Sequence, residues 1–162
     1  MKKLVVLMLA MLIAGSAFAV IDPDNNMLGM YLDLDANVVC GPAAQSNLYV
    51  ILTNPTYPEV NGVEFGFDVV GGPMYVLATT WPPEAVAIGG FAGARGDWAT
   101  GFAAIPTTEA TVVCTMLVLP LGPTSIVLGA NAIPSASPDL PAILVFGDVT
   151  EVGLSTGVGN PA

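Results

Sequence analysis

The sequence predicts an all-β chain folded as a single antiparallel β-sandwich of about eight to nine strands. Two observations carry that expectation. Beyond residue 19 no window repeats its apolar residues at helical spacing, whereas short alternating or β-branched runs recur along the chain. Fourteen prolines and eighteen glycines interrupt those runs at short intervals, as the turns between strands require.

The first nineteen of the 162 residues read as a leader rather than as part of the fold. Lys2 and Lys3 precede an apolar run over 4–14, and Ala17-Phe18-Ala19 supplies a small-x-small cleavage site, so a Sec-type signal peptide over 1–19 is expected. The run is about half the roughly 20 residues that a membrane span needs. The sandwich domain is then expected over 20–152, with a flexible tail over 153–162.

Within the domain, residues 27–34 alternate, Leu28, Met30, Leu32 and Leu34 facing one way and Gly29, Tyr31 and Asp33 the other. Residues 47–53 have an apolar centre suited to a strand buried on both sides. Pro55, Pro58 and Asn61-Gly62 mark a turn. The clearest alternation follows: Val63, Phe65, Phe67 and Val69 should meet the core, and Glu64, Gly66 and Asp68 should meet water or a partner. Gly71-Gly72-Pro73 separates this strand from one over 74–80, which Pro82-Pro83 stops. Residues 84–102 are rich in Gly and Ala, which predicts a short strand at 86–88 and then an irregular loop.

The uncharged stretch 110–138 is long enough for a membrane span, but Pro120, Gly122 and Pro123 at its centre would break a helix. Strands over 111–119 and 125–130, joined by a turn, fit its β-branched content better. A membrane barrel is disfavoured because the aromatic residues are too few and scattered for two girdles. Pro134, Pro138 and Pro141 mark a loop, and residues 142–146 and 148–152 form the last strand, with a kink or bulge at Gly147.

The chemical inventory excludes several functions. Once the leader lysines are set aside, Arg95 alone stands against thirteen carboxylates, so nothing is available to neutralise nucleic-acid phosphates. Histidine is absent, which with the missing lysines removes most imidazole, Schiff-base and assisted-nucleophile chemistry. Two carboxylates suffice for a glycosidase, yet no local pattern singles out a pair. The expectation is a non-enzyme without a cofactor.

Three sets of residues are candidates for special roles. Cys40 and Cys114 are expected to form a disulfide in an exported chain, the alternative being two buried free thiols. Asp22, Asp24, Asn25 and Asn26, and then Asp33, Asp35 and Asn37, are calcium candidates. The second group opens as D-x-D-x-N, but Val38 stands where the turn glycine belongs and Ala44 where the bidentate glutamate belongs, so a turn role leads. Tyr57, Trp81 and Trp98 offer a sugar-stacking platform, with core packing the competing role.

The succession 61–69 (NGVEFGFDV), 74–77 (MYVL) and 110–118 (ATVVCTMLV) resembles the strand order of cohesin-like and carbohydrate-binding-module-like sandwiches of secreted bacterial proteins. The resemblance implies a cohesin-like or immunoglobulin-like sandwich. The expected function is an exported structural or interaction module, acting in adhesion, scaffolding or ligand binding. Its address would be the periplasm, the cell surface or the medium, with a protein or glycan partner and no membrane span after cleavage. The alternatives are a carbohydrate-binding module and a fimbrial-type fibre subunit joined by donated strands.

Overall fold

The computed structural model describes residues 22–136 and 138–155; the leader and its cleavage site, and residues 156–162 of the expected tail, lie outside them. Eleven strands and no helix occur among the described residues. They are β1 (Met27–Tyr31), β2 (Ser46–Thr53), β3 (Glu59–Gly71), β4 (Met74–Thr80), β5 (Val86–Ala92), β6 (Arg95–Pro106), β7 (Ala110–Pro120), β8 (Thr124–Gly129), β9 (Ala142–Val145), β10 (Asp148–Glu151) and β11 (Gly153–Leu154).

Two sheets face each other. One runs β11-β1-β2-β7-β4 and the other β10-β9-β3-β6-β5, with β8 also paired to β3. All pairings are antiparallel except that of β1 with β11. The core lies between them, where Leu28, Met30, Leu48, Val50 and Leu52 of the first sheet meet Val63, Phe65, Phe67, Trp98 and Ile143 of the second. Alternation on β3 therefore points its apolar set inward, as the period of two requires. Phe67 and Trp98 stack at 5.6 Å and Phe65 lies 5.7 Å from Trp98, which gives the core an aromatic centre.

Several expectations need correction. The strand expected at 86–88 is present and runs on to Ala92 as β5, and the irregular loop expected after it is instead the start of β6, which pairs with β5 antiparallel in continuous register. In β6 the residues Trp98, Thr100 and Phe102 point inward and are buried, while Asp97, Ala99 and Gly101 point outward. Gly89 has φ +115°, and a Cβ there would sit 2.0 Å from the Asp97 carbonyl oxygen, so glycine is what permits the pairing. The first strand ends at Tyr31 rather than 34, and Leu34 is exposed. The stretch 142–152, expected as one kinked strand, is instead an antiparallel hairpin of β9 and β10 turning at Phe146-Gly147. Gly153–Leu154, placed in the tail, pairs with β1, and the Ser155 hydroxyl lies 2.8 Å from the Tyr31 hydroxyl.

The expected Cys40–Cys114 bridge is not formed. Cys114 is buried in the core on β7, whereas Cys40 is exposed in the segment between β1 and β2, and both are free. A thiol that points between the sheets has no route to one on the outer loop without backbone movement.

Candidate functional site

The outer faces of the two sheets are treated differently. Over β1 and β2 the chain covers itself. The Asp33 carboxylate accepts the N–H groups of Asn37 at 2.9 Å and Val38 at 2.8 Å, while Leu32 N–H bonds to the Val38 carbonyl at 2.7 Å. That turn tucks Ala36 against Tyr31 and Ile51, with Val39, Tyr49 and Val112 alongside, in a second small core. The calcium candidate Asp33 is thus a turn cap. Among the described residues no three His, Cys, Asp or Glu side chains converge as a cation site would need.

The outer face of the other sheet is open. Register places Ile88, Ala99, Glu64 and Ala142 in one outward row across β5, β6, β3 and β9, and Val86, Gly101, Gly62, Leu144 and Val149 in the next. The central strands contribute almost no side-chain height, so the edges rise above them. A groove of about 250 Å³ results, walled by Val86 and Ile88 on one side and by Leu144 and Val149 on the other. Ala99, Gly101 and Glu64 line it as well, and Ser135 closes one side. Ile88 is 73% exposed and Val86 71%, which for aliphatic residues on a sheet edge is a large uncovered apolar surface.

The groove owes its shape to the excursion 130–141. β8 ends at Gly129, opposite Gly66, and β9 begins at Ala142, opposite Glu64, so twelve residues connect points only two residues apart on β3. Three outward side chains hold the excursion down. Arg95 donates to the Ala130 carbonyl at 3.1 Å, Asp97 accepts the Ala132 N–H at 2.8 Å, and Glu64 accepts both the N–H and the hydroxyl of Ser135. Gly66 is essential to this arrangement, since a Cβ there would meet the Ala130 oxygen at 2.5 Å and the Arg95 guanidinium at 2.7 Å.

Glu64, on the face expected to meet water or a partner, is consequently only 9% exposed. Arg95 is held by Asp97 at 2.8 and 2.9 Å and by Asp68 at 3.0 Å. Its pKa is raised, chiefly by the Asp97 hydrogen bonds against the opposing effect of burial. Both ion pairs found among the described residues belong to Arg95, and neither includes Glu64.

The candidate sugar platform does not assemble on the surface. Trp98 is a core residue, Trp81 is half-buried against Phe65 and Trp98, and Tyr57 is half-buried in the turn before β3. Trp81 lies beside a separate cavity of about 290 Å³ with Pro82, Pro83, Ile105 and Cys114. Burial pushes the Cys114 thiol well above the usual range, so it stays protonated. The groove is not legible in the sequence because its walls come from β5, whose place beside β6 is set by pairing, and from a hairpin whose position follows from pairing to β3. The sequence signal for its shallow floor is the pair of small residues at alternate positions 99 and 101, Ala99 and Gly101.

No protein-family model and no curated protein sequence matches the chain. Solved structures do. A type II cohesin domain from the cellulosome of Acetivibrio cellulolyticus is similar at 11% identity and a TM-score of 0.59, over 85% of this chain and 95% of that one. A cohesin module from a Clostridium perfringens family 33 glycoside hydrolase is similar at 9% identity and a TM-score of 0.56, over 83% and 97%. The seventh ScaB type I cohesin of Pseudobacteroides cellulosolvens follows at 8% identity and 0.51, over 84% and 89%. The chain is a β-sandwich with a cohesin-like fold.

Proposed function

We propose that this chain is a non-catalytic interaction module of an exported protein, and that it docks a polypeptide partner on the open outer face of β5, β6, β3 and β9. One observation carries the reading: none of the described residues covers the apolar groove between Val86–Ile88 and Leu144–Val149, although the same chain caps the β1–β2 face of the other sheet with its own 32–40 segment. Exposed aliphatic walls around a shallow, side-chain-poor floor are the form of a protein docking surface rather than of a reaction centre. A glycan site loses support because Trp98 lies in the core and Trp81 and Tyr57 pack against it, so the candidate rings form no exposed platform.

Export is proposed from the pattern of residues 1–19, with removal after Ala19 leaving Val20 first. Intact mass of the exported protein tests that step. Docking is tested by placing a photo-crosslinking residue at Ile88 and, separately, at Tyr75 on the other sheet. The exported protein is then irradiated among its own secreted proteins. A crosslink to a protein from position 88 and none from 75 is expected. Equal crosslinking from both positions, or none from 88, would refute the docking face.

A further inference from the structure

We propose, building on that reading, that the segment received by the groove is apolar on its contact side and places a lysine or arginine head on Glu64. The first argument is the state of Glu64 itself. A carboxylate offers about four lone-pair sites, and Ser135 fills two of them with its N–H and hydroxyl. The group is 91% removed from solvent as a residue that is 9% exposed, yet it lines the groove and has no cation beside it among the described residues. Burying an anion without a countercharge is unfavourable, and an arriving ammonium or guanidinium relieves it while making a charge-assisted hydrogen bond.

The second argument is charge complementarity over the whole face. Glu64, Asp68, Asp97 and Glu151 project from it against Arg95, and Arg95 is occupied by Asp68, Asp97 and the Ala130 carbonyl. The full chain carries thirteen acidic residues. Arg95 is the one basic side chain among the described residues, so they bring no free cation to the groove of a second copy, and an acidic partner is repelled. The apolar walls supply attraction without charge, so the occupant combines aliphatic contact with one positive head between Ile88 and Ser135. The stem of lysine or arginine suits that path, because it packs on apolar surface while its head reaches a carboxylate.

The experiment selects short random peptides displayed on phage against the purified, leader-free protein, then measures selected peptides on wild type, E64Q, I88D and Ser135→Ala. Peptides with a basic residue flanked by apolar ones are expected, losing about tenfold or more in affinity on E64Q and binding poorly to I88D. Ser135→Ala, which keeps the Glu64 charge, should preserve the basic preference. Neutral peptides that ignore E64Q but are lost on I88D would overturn the cationic inference and leave the docking face standing. Peptides indifferent to I88D, or no enrichment, would overturn the docking face itself. Each variant is checked by thermal unfolding, and if E64Q does not fold, salt replaces it. Added salt must then weaken wild-type binding of basic peptides and spare neutral ones, and equal behaviour of the two would overturn the inference.

Discussion

Ser135 donates its backbone N–H to Glu64 across 2.7 Å and its hydroxyl to the same carboxylate, joining residues 71 positions apart. This contact turns an outward glutamate on a sheet strand into the anchor of the 130–141 excursion and so forms one side of the groove. Its removal is the direct way to ask what holds that wall in place.

Glu64→Ala is expected to cost about 1 to 2 kcal/mol, the range for stranding hydrogen-bond donors that a carboxylate had satisfied. Denaturant unfolding measures the cost, and amide exchange should rise over residues 132–136. Unchanged exchange there would show that Arg95 and Asp97 hold the excursion without Glu64.

Phe65→Ala and Phe67→Ala are each expected to cost about 3 to 5 kcal/mol, because both rings are fully buried in the aromatic centre of the core. Asp68→Ala removes an exposed partner of Arg95 and should cost less than about 1 kcal/mol. A denaturation series in which Asp68→Ala matches the phenylalanine variants would contradict the assigned faces of β3.

Gly89→Ala and Gly90→Ala are neighbours with opposite expectations. At 89 the backbone is left-handed, with φ +115°, and the Asp97 carbonyl stands in the way, so alanine should destabilise by about 1 to 3 kcal/mol. At 90 a Cβ meets nothing within 4 Å, and the change should be nearly neutral. Melting temperatures of the two variants decide it, and equal losses would mean that β5 is not paired in this register.

The cysteines should behave as two separate thiols. Native protein is expected to label at the exposed Cys40 only, and unfolded, unreduced protein at both, as counted by mass; no labelling in the unfolded state would restore the disulfide. Burial raises the Cys114 pKa, so the folded state keeps a proton that the unfolded chain loses above about pH 8.5. Stability from this group is complete below that pH and declines as the pH rises through it. Cys114→Ala should lack that decline in an unfolding series from pH 7 upward.

Fold class, the inward face of β3 and the strand character of β7 and β8 are legible in the sequence, because a period of two is a local property and proline and glycine mark turns without reference to the rest of the chain; that β7 and β8 lie in different sheets, on either side of the 120–123 turn, is decided by their separate partners. The same local logic failed beyond 88, where glycine and alanine imply a loop by propensity. Pairing makes these residues strands: β6 pairs with β3, where Trp98 lies beside Phe65 in the same sheet, and β5 pairs with β6. It failed again at Glu64, whose outward direction was read correctly but whose burial depends on Ser135. The disulfide expectation rested on the parity of the cysteines and an export signal, and three-dimensional placement overruled it by pointing Cys114 inward and leaving Cys40 on a loop. Periodicity assigns each side chain to a face, whereas what covers that face is set by residues distant in sequence. The groove belongs wholly to this second kind of information, for its walls come from β5 and from a hairpin more than fifty residues later in the chain.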